Sequence, residues 1–254
     1  MANPVLETKN LGIDFGGLTA VNNLSMYVNE KEIVGLIGPN GAGKTTVFNL
    51  LTKVYQPTRG KIYLNGNDLD KATIMEANIA GIARTFQNIR LFSNISVIDN
   101  VKVAMNNQNE YSVFDAILHT KKYRNCEKII EQKSNELLQI FGLLDNKDAK
   151  AGSLPYGAQR RLEIARALAT NPKVLLLDEP AAGMNPQETE ELMNTIKAVR
   201  DRFNICILLI EHDMNLVMNI CERIYVLNYG MLLAKGNPDE IKNNPDVIKA
   251  YLGD

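Results

Sequence analysis

Gly38-Pro39-Asn40-Gly41-Ala42-Gly43-Lys44-Thr45 is the stretch from which the rest of the chain is read. It fits G-x-x-x-x-G-K-[ST], a pattern that carries weight only between a strand and a helix. Both flanks fit. Ile33 to Ile37 is an apolar, β-branched run of strand length. From about Gly43, Val47, Leu50, Leu51 and Val54 recur at i, i+3, i+4 and i+7, the spacing of a helix that stops before Pro57. Glycines at these positions let the backbone curl so that successive N–H groups face one anion, and the opening helix adds its positive end. Lys44 is then expected to reach the β- and γ-phosphates of a nucleotide, Thr45 to ligate Mg²⁺ and Thr46 to meet the α-phosphate.

A second element lies far downstream. Val174-Leu175-Leu176-Leu177-Asp178-Glu179-Pro180 sets two acids at the end of a continuous apolar run. In an open parallel sheet, ligands bind at the carboxyl ends of the strands. Asp178 is placed to hold Mg²⁺, which prefers one or two carboxylates together with phosphate oxygens. Glu179 is placed to orient an attacking water or take its proton. Loop and acid pair together make ATP hydrolysis the expected chemistry.

The remaining pattern supplies a frame. Val5 to Leu11, Leu24 to Val28 and Lys61 to Leu64 read as N-terminal strands, the last ending in an Asn65-Gly66 turn. Residues 88–153 are polar, rich in Asn and Lys, and helical where periodic, with Ile130, Leu137, Leu138 and Phe141 on one face; no element is assigned between Asn106 and Asn125. From Ala158 onward helices alternate with the buried runs Val174 to Leu177 and Ile205 to Ile210, as in a parallel sheet covered on both faces. The fold class is therefore α/β, a P-loop NTPase core with a mostly parallel sheet, an N-terminal antiparallel β subdomain and a helical insertion. Residues 1–87 and 161–254 would form the core and residues 88–160 the helical subdomain. Over 254 residues the formal net charge is -1, which disfavours a dedicated nucleic-acid binder. No apolar run approaches the roughly 20 residues of a membrane span, and the N-terminus lacks a signal-peptide pattern, which suggests a cytoplasmic protein. Three cysteines without a C-x-x-C pair argue against a disulfide framework, and two histidines against a His-rich metal site.

With these residues in place the chain resembles the ATP-binding subunits of ABC transporters. Gln87 in Thr85-Phe86-Gln87 is similar to that family's Q-loop glutamine, and His212 in Ile210-Glu211-His212-Asp213 to its switch histidine. Phe15 falls where the family carries an aromatic that stacks on adenine. Leu154-Pro155-Tyr156-Gly157-Ala158-Gln159 occupies the signature position, at the start of a helix. Taken singly, Phe15 would be an edge-strand aromatic, Gln87 a surface amide and His212 a strand-end histidine. Their order, shared with the loop and the acid pair, makes one pattern of them. The resemblance implies ATP and Mg²⁺ as cofactors, with Gln87 beside Thr45 and Asp178 at the metal and Lys44, Gln87, Glu179 and His212 as the catalytic set. It also implies a second ATP-binding subunit, two transmembrane permease subunits, an extracytoplasmic binding protein acting indirectly, no nucleic-acid partner, and a peripheral place on the cytoplasmic face of the membrane. Gln87, at the start of the helical insertion, would relay nucleotide state to that insertion.

Within the family the chain is most similar to the ATPases of branched-chain amino-acid importers, on Ala83 to Phe92, Leu154 to Leu168, Asp178 to Pro186 and the ending Asp246 to Gly253. Urea-import and lipopolysaccharide-export ATPases share part of this pattern. A soluble ABC-type ATPase acting on nucleic acid would usually carry two cassettes, and a small-molecule kinase would need an arginine-bearing lid. The chain departs from the family's Leu-Ser-Gly-Gly-Gln signature: Pro155 replaces the serine, Tyr156 the first glycine and Ala158 the glutamine. Asn185 stands where the D-loop usually has aspartate. Pro155 brings neither hydroxyl nor N–H to the partner's γ-phosphate, although Gly157 and the helix N-terminus remain to bind anion. Two unequal composite sites, formed with a different subunit of intact signature, are one expectation. Two working sites that tolerate Pro-Tyr are the other.

Overall fold

The computed structural model describes residues 4–105 and 111–252. Residues 106–110, part of the unassigned stretch, lie outside them. The chain divides into two compact units, residues 1–87 with 172–254, and residues 88–171.

In the first unit, β1 (Leu6–Phe15) turns at Gly16 and Gly17, both with positive φ, into β2 (Leu18–Val28). β3 (Ile33–Ile37) is buried at every residue and runs into the glycine-rich loop. After it come α1 (Lys44–Leu51), β4 (Arg59–Leu64), β5 (Asn67–Asp68), α2 (Ile74–Ala80) and β6 (Ile82–Arg84). The Asn65-Gly66 turn joins β4 to β5 with both residues at positive φ, the backbone of a tight two-residue hairpin. Val47, Phe48, Leu50 and Leu51 of α1 are fully buried. Each contributes on the order of 1.5–3 kcal/mol of burial, which fixes the helix whose N-terminus closes the loop.

The second unit holds α3 (Val97–Ala104), α4 (Val113–Ile117), α5 (Lys121–Ile140) and α6 (Tyr156–Leu168). Its core joins Val97 and Val101 of α3 to Ile130, Leu137 and Leu138 of α5 and to Leu162 and Ala165 of α6. The sequence expectation drew this subdomain's end at residue 160. α6 is one uninterrupted helix, and the division leaves it whole by placing the boundary after Asn171.

The chain then returns to the first unit with β7 (Val174–Asp178), α7 (Pro186–Phe203), β8 (Cys206–Ile210), α8 (Met214–Ile220), β9 (Arg223–Asn228), β10 (Met231–Gly236), α9 (Pro238–Lys242) and α10 (Pro245–Leu252). Two sheets result among the described residues. One is antiparallel in the order β2-β1-β4-β5; the other runs β10-β9-β3-β8-β7-β6 and is parallel except at its β9–β10 edge. β3, β6, β7 and β8 thus point their carboxyl ends the same way. Every polar motif singled out in this unit after β2 follows one of those four ends. Cys126, Cys206 and Cys221 are unbridged, and burial pushes the Cys206 thiol up to about 12.

Candidate active site

The phosphate loop follows β3. Gly38 (φ 151°), Gly41 (φ 79°) and Gly43 (φ 99°) all lie in backbone space that favours glycine. A Cβ at Gly38 would sit 2.1 Å from the Leu227 carbonyl oxygen, and one at Gly43 2.8 Å from that of Ala20. Those two glycines are therefore required by the packing beneath the loop, whereas Gly41 faces open space. α1 begins with Gly43 in its left-handed capping position, without a side-chain cap and without an acid in its first turn. α2, α7 and α9 each close their N-termini with a capping box from Thr73, Asn185 and Asn237. α1 therefore keeps its first N–H groups and its positive end for an external anion.

Lys44 is 6% exposed and donates to the carbonyl oxygens of Gly38 (2.6 Å) and Pro39 (2.9 Å), so its ammonium lies back across the loop. Burial pulls its pKa down, and the charges of Glu179 and Asp178 draw it back up. The two carboxylates at the end of β7 are placed differently. Asp178 is buried and its Oδ2 accepts from Arg84 at 2.7 Å, while Thr85 Oγ1 accepts from its backbone N–H at 3.3 Å. Glu179 adopts left-handed backbone (φ 48°), uncommon for a residue with a Cβ. Its N–H donates to Ile210 at the end of β8. That turn brings its carboxylate between two side chains: Gln87 Nε2 donates to Oε2 at 2.7 Å, and His212 Nε2 lies 2.7 Å from Oε1. Gln87, Glu179 and His212, distant in sequence, therefore form one hydrogen-bonded cluster.

That cluster and the loop line a single cavity of about 510 Å³, together with Lys44, Thr45, Thr46, Leu18, Thr19, Tyr229 and Gly230. Its volume falls in the range of small-ligand sites. Phe15 is not among the lining residues. It is half-exposed and packs edge-to-face on Tyr55, with ring centroids 5.2 Å apart.

Two buried residues important to this geometry carry no role in the sequence reading. Arg84 holds Asp178 with one nitrogen and Asn49 Oδ1 with another at 2.7 Å, and its guanidinium lies near the rings of Phe48 and Phe86. The signal available was a cation on an otherwise apolar three-residue strand, which must find an anion if buried. Glu211, 4% exposed, accepts from the N–H groups of Ala181 (2.7 Å) and His212 (3.0 Å), tying the turn after Glu179 to the turn that carries His212. It ends an apolar run just as Asp178 does, and that parallel was the clue. Burial raises the Glu211 pKa more than its backbone donors lower it. A raised carboxyl pKa gives stability that is present below the unfolded value and is lost as pH rises through the folded one. Glu211→Gln removes that loss. Relative to the parent, the variant is expected to gain stability as the pH of urea denaturation is raised above 4.5, the gain levelling off once the pH has passed the folded value.

In the second unit, Pro155 is the N-cap of α6 and supplies no side-chain cap. Leu154 is buried, and its carbonyl accepts from Gln159 Nε2 at 2.8 Å. Tyr156 is half-exposed, and its hydroxyl accepts from the fully buried Arg160 at 3.3 Å; Arg160 also pairs with Glu163 at 3.0 Å. Gly157 and Ala158 lie in the first turn. Asn185, at the departure from the family's D-loop, is the N-cap of α7 and accepts from the Glu188 N–H at 3.0 Å. Asparagine and aspartate cap about equally well, so the substitution removes a charge and leaves the helix start intact.

A glycine-rich loop on an uncapped helix, facing acids at the ends of neighbouring parallel strands, defines a nucleotide-binding P-loop protein. Comparison with known proteins narrows that class. The family model for ABC transporters matches residues 21–182, and that for the branched-chain amino acid ATP-binding cassette transporter matches residues 231–254. This chain belongs to the ABC transporter ATP-binding proteins. It is 50% identical over 254 residues, all of both chains, to the high-affinity branched-chain amino acid transport ATP-binding protein LivG of Salmonella typhimurium. It is 46% identical, again over the whole of both, to the corresponding protein BraF of Pseudomonas aeruginosa. Among solved structures, the ADP conformation of an ATP-binding cassette of an ABC transporter matches with a TM-score of 0.86 and 29% identity, covering 100% of each chain. Among the described residues, no helix is long and apolar enough to cross a membrane.

Proposed function

We propose that this chain is the ATP-hydrolysing subunit that powers an importer of branched-chain aliphatic amino acids, bound peripherally at the cytoplasmic face of the membrane. One observation carries the chemistry: the Gln87–Glu179–His212 cluster on the wall of the phosphate-loop cavity. The full-length likeness to LivG and BraF supports the cargo. In this reading the free N–H groups of the loop and of α1 hold the triphosphate, and Lys44 swings from its carbonyl partners onto the β- and γ-phosphates. Glu179 orients water for in-line attack and takes its proton; His212 turns from Glu179 toward the γ-phosphate, and Gln87 reports whether that phosphate is present. Phe15 meets the adenine. The donor set suits Mg²⁺, a hard ion content with few protein oxygens. Thr45, Gln87 and the second oxygen of Asp178 would hold it, and it would neutralise charge developing on the phosphates.

Closure of two such subunits on ATP would then drive two permease subunits supplied by an extracytoplasmic binding protein, with no nucleic acid involved. Purification from the native membrane in mild detergent, with mass spectrometry of what co-purifies, tests this. Two polytopic membrane proteins and a second ATP-binding protein are expected. Recovery alone, or with soluble nucleic-acid-associated proteins, contradicts it.

Leu154 to Gln159 and Asn185 favour pairing with a different ATP-binding subunit. The first turn of α6 offers the N–H groups of Gly157 and Ala158 to an anion, whereas that of Gln159 is bonded to the Pro155 carbonyl, and Pro155 supplies no hydroxyl. A hydrogen bond to a charged group is worth about 1.5–3 kcal/mol. Pro155→Ser is therefore expected to raise the ATPase rate of the reconstituted complex roughly tenfold; an unchanged rate contradicts the inequality of the two sites.

A further inference from the structure

α4 buries none of its residues. Val113 (75% exposed), Phe114 (76%) and Ile117 (68%), with Leu118 (72%) just after the helix, are the largest contiguous run of exposed apolar side chains among the described residues. At about 100° per residue they fall within an arc of roughly 140°, one face of a helix. An apolar face left open on a solvent-facing helix marks an interaction site more often than an accident.

The segment is held in shape by local bonds that leave this face bare. Ser112 and Asp115 form a capping box, and Thr120 Oγ1 donates to Asp115 at 2.9 Å. Tyr111 donates to Glu127 at 3.0 Å and stacks edge-to-face on Tyr123, as does His119. Both carboxylates of the segment are thus occupied internally. The cations are not: Lys121, Lys122 and Lys128 are exposed and make no ion pair among the described residues, and exposed Arg124 spends only its Nε on the His119 carbonyl. Lys121 and Lys122 follow Leu118 within four residues, so the exposed cations begin where the apolar run ends.

From this juxtaposition we infer that α4 and the start of α5 form a membrane-surface contact, with Phe114, Ile117 and Leu118 entering the headgroup–acyl boundary of an anionic bilayer and the lysines meeting its phosphates. Exposed aliphatic and phenyl groups followed by exposed lysines have the composition of an interfacial lipid-binding segment. Protein interfaces favour phenylalanine as well, together with tyrosine, tryptophan, methionine and arginine, but they deplete lysine, and it is the three exposed lysines that point to lipid. The contact is independent of the solute carried, so its failure would leave the proposed function standing.

The chain contains no tryptophan, so Phe114→Trp installs a single reporter at an exposed position. With vesicles of phosphatidylethanolamine and phosphatidylglycerol (3:1), the full-length F114W chain is expected to show blue-shifted emission quenched by brominated acyl chains. Its apparent partition coefficient is expected to fall at least tenfold on phosphatidylcholine vesicles, and equally when Ile117→Ser and Leu118→Ser are added. Emission unaffected by vesicles, or partitioning unaffected by the serines, overturns the inference. A blue shift seen only in the assembled transporter, without quenching by bromolipid, overturns it in favour of a protein partner.

Discussion

Glu179→Gln is expected to lower the steady-state ATPase rate of the assembled complex by about 10²–10⁴-fold, the range for loss of a general base. ATP affinity is expected to stay within a few-fold. The reason is positional. Glu179 shares the cavity with the phosphate loop, takes no part in the glycine cradle or in the hydrogen bonds of Lys44, and acts on Lys44 only through its charge. The variant should therefore bind nucleotide and stall, a loss in kcat rather than in KM. Its rotated backbone supports the same view. A left-handed φ at a non-glycine residue costs energy, and here it places the carboxylate between Gln87 and His212. Phosphate release and labelled-ATP binding on one preparation check both halves. A rate within twofold of the parent removes Glu179 from the chemistry, and lost binding makes it part of the cradle instead.

The second large effect concerns Arg84. Its side chain is 6% exposed and that of Asp178 is 4% exposed, so the pair sits in a region where an unpartnered charge is expensive. Removing one member of such a pair costs about 3–5 kcal/mol. At roughly 2–4 °C per kcal/mol for a chain of this size, Arg84→Met is expected to lower Tm by on the order of 10 °C. Asp178→Asn in the same chain is expected to recover much of that loss while leaving hydrolysis impaired, because the remaining carboxylate is then gone. Thermal unfolding of the parent, both single variants and the double variant gives the coupling. A loss below about 1 kcal/mol for Arg84→Met would mean that water reaches the pair.

Much of this was legible in the residues. The phosphate loop, the acid pair and the parallel strands rest on local patterns: a fixed glycine spacing, apolar runs of strand length, and the Asn65-Gly66 turn. Gln87 and His212 were legible only by resemblance, since nothing near them in sequence says that both reach Glu179. What was missed depends on long-range packing or on weak local signals. β6 has three residues, too few for any period. The β9–β10 hairpin turns through Tyr229-Gly230, both at positive φ, where tyrosine replaces the expected asparagine or aspartate. Arg84 and Glu211 are ordinary polar residues until the sheet order sets β6 beside β7 and β7 beside β8. α4 has five residues, shorter than the span over which a helical period can be read, so its one apolar face did not stand out.

The most direct test of the central claim is ATP-driven uptake of radiolabelled leucine into proteoliposomes holding the complete complex, with its binding protein supplied on the opposite face. Accumulation that requires Mg-ATP and disappears with Glu179→Gln is the predicted result. Hydrolysis that proceeds without uptake of leucine, isoleucine or valine would contradict it.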